Sequence, residues 1–258
     1  MSESLRLPAW IPRGAIIPLT AALIWWASAA AGVLSGPMAV TPLQVLEVPF
    51  LDPSGRELWP SLLASLLRVL IGSVTGSTIG IVLGYLAGTS RAIALSISPG
   101  IHTVRQVALF AWIPLLTAWF GNGEGTKIVF TVLSTFFPLF LATEQGVRQV
   151  PPALIDVANV LNLRRGTRIR QLYFPAALPS IYLGLQIAIL SAWIGTIGAE
   201  YAVGNGRGLG SYLASARDQF RMDIVLVGVI ALAVGGVLLT YSVRLVAASL
   251  SPWTKEQR

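Results

Sequence analysis

Residues 151–179 read PPALIDVANVLNLRRGTRIRQLYFPAALP. The stretch is a polar island between two long apolar segments. It holds Arg164, Arg165, Arg168 and Arg170, the densest cluster of positive charge in the chain. A helix hairpin needs only a few residues to turn, and a connection this long is usually either functional or disordered. Leu154, Val157, Ala158 and Leu161 recur at helical spacing, which argues for a folded helix. The reading is a docking element on the cytoplasmic side of a membrane protein.

Composition supports the membrane. Of 258 residues, 54% are hydrophobic and 11% charged, whereas soluble domains carry about a quarter charged residues. So few charges cannot cover a surface in water, and a bilayer is the natural solvent. The net charge of +7 then reads as cytoplasmic loops rather than a nucleic-acid face. The chain has no cysteine and one histidine, His102. Thiol chemistry and cysteine- or histidine-rich metal sites are excluded.

Six apolar segments are expected to span: about 16–34, 69–88, 94 or 99–120, 127–146, 180–202 and 224–246. The first also has the features of a signal peptide, but its roughly 20 residues suffice to cross about 30 Å of hydrocarbon. Residues 36–60 read as an external loop, and Trp59–Arg68 as an interfacial helix. Gly204–Asp223 reads as an external segment too polar to cross. In the second segment Gly72, Gly76, Gly80, Gly84 and Gly88 recur every fourth residue. That spacing places them on one helix face, suited to close packing or, alternatively, a smooth pore wall.

With both termini cytoplasmic, Arg6, Arg13, Arg91, Arg148, the four island arginines, Arg244, Lys255 and Arg258 lie inside. Arg56, Lys127, Arg207, Arg217 and Arg221 lie outside. The imbalance follows the positive-inside rule.

The island resembles the cytoplasmic loop of ATP-binding-cassette (ABC) importer permeases, whose pattern is E-A-A, three residues, G, nine residues, I-x-L-P. Here Asp156-Val157-Ala158 stands at E-A-A, Asn162 at the glycine, and Leu172-Tyr173-Phe174-Pro175 at I-x-L-P. Asn, like Gly, tolerates left-handed geometry at a helix end. Several further stretches resemble the nitrate, sulfonate and taurine branch of that family. They are Leu62–Arg68, Ala111–Leu116, Trp119–Gly121, Gly123-Glu124, Lys127, Phe136–Pro138, Gly146–Arg148, Ala199-Glu200 and Gly208–Gly210. Together they cover about Thr41 to Trp253. One departure bears on geometry. Where the branch has a proline-rich segment after Arg105, this chain reads Gln106-Val107-Ala108-Leu109-Phe110, which lacks the residues that would enforce a kink.

The resemblance implies an all-α, polytopic permease of the type I importer fold. It would be a single domain over 1–258, with a core at about 60–250 and a coupling loop at about 148–179. It also implies a multi-pass location in a bacterial inner membrane. The implied partners are two ABC ATPase subunits, a second permease copy, an external solute-binding protein and membrane lipid. No cofactor would bind the chain directly, because ATP and Mg belong to the ATPase. The sequence has no G-x-x-x-x-G-K-[ST] phosphate loop.

Docking candidates are Leu154, Ile155, Asp156, Val157, Ala158, Leu161, Asn162, Leu163, Arg164 and Arg165. Ile155, Val157, Leu161 and Leu163 are the candidate apolar knobs. The arginines suit either acidic ATPase residues or anionic headgroups. Pro175 and Pro179 are expected to set the angle at which the loop enters the fifth span.

Ionisable residues at membrane depth line cavities or pair with one another, so Arg105, Glu144 and Glu200 are pathway candidates, with Trp112. Glu144 reads as snorkelling to the inner surface. Glu200 reads as part of an external gate or a contact for the binding protein. Arg105 reads either as an attractive charge for an anionic solute or as a side chain that snorkels to the inner surface. A secondary transporter or channel is the main alternative, and it would leave the arginine loop without a role.

Overall fold

In the computed structural model, residues 16–32 and 40–250 are described, without the side chains of 16–19, 165, 244 and 246–250. No strand occurs among them. The helices in chain order are α1 (Ile16–Ala30), α2 (Pro42–Leu51), α3 (Pro53–Arg56), α4 (Leu58–Thr89), α5 (Arg91–Arg105), α6 (Ile113–Phe120) and α7 (Glu124–Arg148). They continue with α8 (Pro152–Val160), α9 (Arg165–Arg168), α10 (Phe174–Val203), α11 (Leu209–Asp218) and α12 (Met222–Leu250).

Four stretches are long and apolar enough to cross a membrane: Pro53–Thr89, Glu124–Arg148, Gly166–Val203 and Met222–Val243. A fifth is a bent pair, Arg91–Arg105 with Leu109–Phe120. The first expected span is represented by α1, whose 15 residues fall short of the ~20 a perpendicular crossing needs. Part of that segment, from residue 33, lies outside the described residues.

The structure revises several expectations. Trp59–Arg68 is the first third of α4, continuous with the span, so Arg68 lies inside a transmembrane helix. The expected external loop at 36–60 contains α2, which packs its buried Val45 and Val48 into the core. The polar segment 204–223 contains α11, which is buried from Leu209 through Ala214.

The core is a three-helix stack with α7 at its centre, between α4 and α10. The α4 glycines build one side of it. A Cβ at Gly76 would lie 2.1 Å from Thr135 Oγ1 and 2.4 Å from Val132 O, and one at Gly84 2.5 Å from Phe140 O. The glycine repeat therefore packs one helix against another and does not form a pore wall. Gly76→Ala is expected to destabilise the protein. The roughly 1 kcal/mol of helix propensity gained is smaller than the cost of overpacking, about 1–3 kcal/mol or more. Gly100→Ala gains the same propensity with nothing within 4 Å of the new Cβ, and should be neutral or stabilising. Thermal unfolding of the two variants in detergent separates these outcomes.

The expected third span bends by 96° between α5 and the 109–120 segment, although no proline stands in Gln106–Phe110. Local hydrogen bonding supplies the break. Gln106 N–H bonds Thr103 O at 3.0 Å and Val107 N–H bonds Val104 O at 3.2 Å, tightening the last turn of α5. Ala108 is extended (φ −54°, ψ 125°), and a 3-10 turn (Leu109–Trp112) leads into α6. Phe110 then seats against Gly198 of α10, where a Cβ would come within 2.4 Å of its ring. Its ring also packs on Phe130 at 5.4 Å. Tertiary docking thus holds a bend in a segment, Gln106–Phe110, that contains no proline.

At the fifth span, Pro175 falls in the first turn of α10 and Pro179 sits inside that helix without ending it. The chain enters through a π-turn over Ile169–Tyr173, with Phe174 N–H reaching back to Ile169 O. The widened turn gives the proline ring room where a regular helix would clash.

Candidate functional site: docking loop, bent-span groove and buried charge cluster

The candidate docking helix α8 stands on one buried residue. Ala158 is buried, while Leu154, Val157, Val160 and Leu161 all point outward. Val160, absent from the expected knobs, is the most exposed at 81%. Ile155 and Leu163 are half-buried, whereas Asp156, Asn162 and Arg164 are exposed. The Arg165 side chain is outside the described residues.

Asn162 has φ 48° and closes α8. Its N–H bonds Asn159 O at 3.0 Å, and Leu163 N–H bonds Ala158 O at 3.1 Å. This is the Schellman pattern that glycine usually completes. Arg168 ties the loop back, with Nε to Leu163 O at 3.0 Å and Nη2 to Ala158 O at 3.4 Å. At least one island arginine is therefore structural.

At the opposite end of the bundle, a charge cluster lies buried between α4, α7 and α10. Arg68, 5% exposed, donates Nε and Nη2 to Glu124 at 2.5 and 2.7 Å, and Nη1 to Glu200 at 2.5 Å. Glu200 is fully buried. It also accepts from Ser65 Oγ at 2.7 Å and from Gly210 N–H at 2.9 Å. Lys127 bonds the carbonyl of Asn205 and lies 3.6 Å from Glu124. Arg68 Nη2 reaches Arg207 O, so the 204–210 loop is strapped down by two cations. Gly208 (φ +157°) is required here, because a Cβ would meet Glu200 Cδ at 2.5 Å. Glu200 is thus a fully buried anion that ties α4, α10 and the 204–210 loop together.

Beside this cluster, Arg221 clasps Asp52 at 2.8 Å and Asp223 at 2.7 Å. The Arg221 guanidinium, with the N–H groups of Gly55 and Ser54, holds the Asp52 carboxyl below its ordinary range. Asp52 also caps α3 through Ser54 N–H at 2.8 Å, so this clasp joins the start of α3 to α12.

The remaining candidates separate. Glu144 does not snorkel. It is buried, accepting from Ser98 Oγ and Arg148 Nη2 at 2.7 Å each, with His102 Nε2 at 3.5 Å. Arg148 is the residue that reaches the surface. Trp112 packs beside Leu116, Phe130 and Ala199. Arg105 is exposed and lines a groove of about 570 Å³ under the bend. The principal residue missed from sequence is Arg68. Its signal was an arginine eleven positions into an apolar helix, facing glutamates far along the chain.

Residues 76–254 match the family described as binding-protein-dependent transport system inner membrane component. The chain belongs to this family. Its members work as transport subunits beside a separate ATPase, so the chain is an ABC importer permease and not an enzyme. It is 35% identical over 242 residues to the putative aliphatic sulfonates transport permease protein SsuC of Bacillus subtilis (strain 168), covering 93% of this chain and 87% of that protein. It is 32% identical over 238 residues to the taurine transport system permease protein TauC of Escherichia coli (strain K12), covering 90% and 86%. A chain from the inward-facing MetNI methionine ABC transporter superposes with TM-score 0.65 at 17% identity, over 77% of this chain and 98% of that one. That likeness concerns the fold alone.

Proposed function

We propose that two copies of this permease line an import pathway, that ATPase subunits grip α8 from the cytoplasm, and that an external binding protein delivers a small anion at the opposite end. The observation that carries the reading is α8 itself. Leu154, Val157, Val160 and Leu161 form an outward apolar stripe on a helix whose end is closed by Asn162. An apolar face presented to water beside a basic loop is the mark of a helix meant for a partner's groove.

Charge supports the orientation. Arg91, Arg164 and Arg170 at the α8 end make no ion pair among the described residues. At the other end Arg68, Arg217 and Arg221 are each matched by a carboxylate, although Arg56 and Arg207 make no ion pair there among the described residues, and at the α8 end Arg148 pairs with Glu144. The α8 end carries the larger excess of arginine over acid, which suits the cytoplasm, with both termini on that side. ATP and Mg²⁺ would be held by the ATPase. The sulfonate and taurine relatives support an anionic solute. Leu190 and Ile194 are exposed apolar residues on α10, which suits a second copy.

The test is reconstitution of the permease in proteoliposomes with its ATPase and binding protein. Uptake of labelled ethanesulfonate or taurine should require ATP and both partners. Uptake by the permease alone, driven by an ion gradient, would instead make it a secondary transporter.

A further inference from the structure

We infer that the groove under the bent span is a binding station for an organic anion, with Arg105 as its charge contact. The groove lies between antiparallel α7 and α10, from Gln145 and Ser180 at one end to Ser134 and Ser191 at the other, with Arg105 and Gln106 above it. Eleven residues of helix separate its ends on each side, about 16 Å at 1.5 Å per residue. Its volume of about 570 Å³ falls within the range of small-molecule sites.

Four observations point to the ligand. First, Arg105 makes no ion pair or hydrogen bond through its side chain among the described residues; Arg91, Arg164 and Arg170 are unpaired as well, but of these Arg105 is the one that lines the groove. It lies within the bent pair that is apolar enough to cross a membrane, where a guanidinium without a partner is expensive and marks a solute path. Second, the side chains of Gln106, Gln145, Ser180 and Ser191 also bond nothing among the described residues, so free amide and hydroxyl donors line the groove at both of its ends. Third, no carboxylate lines the groove. The nearest acid along α7, Glu144, is turned away and committed to Ser98 and Arg148. Fourth, Phe137, Leu141, Leu183 and Ile187 give the groove apolar walls. One fixed positive charge with neutral donors and no acid selects an anion. Apolar walls favour an anion carrying a hydrocarbon portion over a small, strongly hydrated one.

The bend makes the site. Arg105 ends α5 immediately before the break at 106–108, and Gln106–Leu109 then line the groove beside it. The assignment of this groove to the transported solute rests on the importer reading above; the charge selectivity of the groove does not.

The sequence has no cysteine, so single thiols report on the groove directly. Ser191→Cys and, separately, Gln145→Cys would be introduced into the full-length permease in membrane vesicles. Each would be treated with anionic 2-sulfonatoethyl methanethiosulfonate or its cationic trimethylammonioethyl analogue, with every rate normalised to that of a free thiol. The anionic reagent should react about tenfold faster, the low end of focusing by a singly charged cleft. Arg105→Gln should remove the preference and Arg105→Lys should keep it. Ethanesulfonate or propionate should slow labelling while tetramethylammonium does not, and the stronger protector identifies the headgroup. Equal rates in the parent, a preference that survives Arg105→Gln, or no reaction at either cysteine would overturn the inference. Failure of ATP-dependent uptake in the reconstituted importer, with labelling as expected, would instead count against the importer reading.

Discussion

Arg68→Met is expected to be the most destabilising single substitution among the charged residues, by about 3–5 kcal/mol, the usual cost of removing one partner from a buried ion pair. The change removes bonds to Glu124, Glu200 and the Arg207 carbonyl at once. It leaves Glu200 fully buried, with only Ser65 and Gly210 to satisfy it. The loss exceeds what one hydrogen bond to a charged group supplies, about 1.5–3 kcal/mol. Glu124→Gln should cost less, because the Glu124 side chain is 57% exposed and water replaces part of what is lost. The pair Arg68→Met with Glu200→Gln should be less harmful than the sum of the singles, since neither then leaves an unmatched buried charge. Thermal unfolding in detergent measures all four proteins. A shift for Arg68→Met no larger than that of an ordinary surface substitution would show that the cluster is not a clamp.

The largest functional effect is expected on α8. Val160 and Leu161 lie outward beside Val157. If they enter an ATPase groove, Leu161→Glu or Val160→Glu would place an unpaired carboxylate in an apolar contact. An uncompensated charge of that kind costs about 3 kcal/mol or more, about a hundredfold in the population of the docked state. Permease folding should be untouched, because neither side chain packs against the bundle. Asp156→Asn removes a charge that makes no ion pair among the described residues, and should have a much smaller effect. The contrast between Leu161 and Asp156 distinguishes an apolar docking contact from an electrostatic one.

Local features were legible in the sequence and long-range pairs were not. The α4 glycines are spaced by the helix repeat, so their shared face follows from 3.6 residues per turn alone. Asn162 was readable because only a few residue types accept a left-handed helix end. Arg68 was misplaced at the interface because its partners lie 56 and 132 residues away, and no local pattern announces them. The same limit applies to Glu144, read as snorkelling to the surface, and to Glu200: both are buried against partners that no local pattern reveals. The bend after Arg105 was obscured by the missing prolines. Local turn hydrogen bonds supply the break, and the seat for Phe110 at Gly198, 88 positions along the chain, holds it; spacing cannot reveal that seat. Val160 was passed over because the helical repeat draws attention to Leu154, Val157 and Leu161. Its exposure depends on where the rest of the loop lies.

An ATPase that drives this permease through α8 must fail when the apolar face of that helix carries a charge. ATP-driven, binding-protein-dependent uptake by the Leu161→Glu importer in proteoliposomes, measured beside permease content and thermal stability, tests this. Uptake should fall about a hundredfold at unchanged permease content and melting temperature. Uptake at the wild-type rate would show that the ATPase does not act through α8.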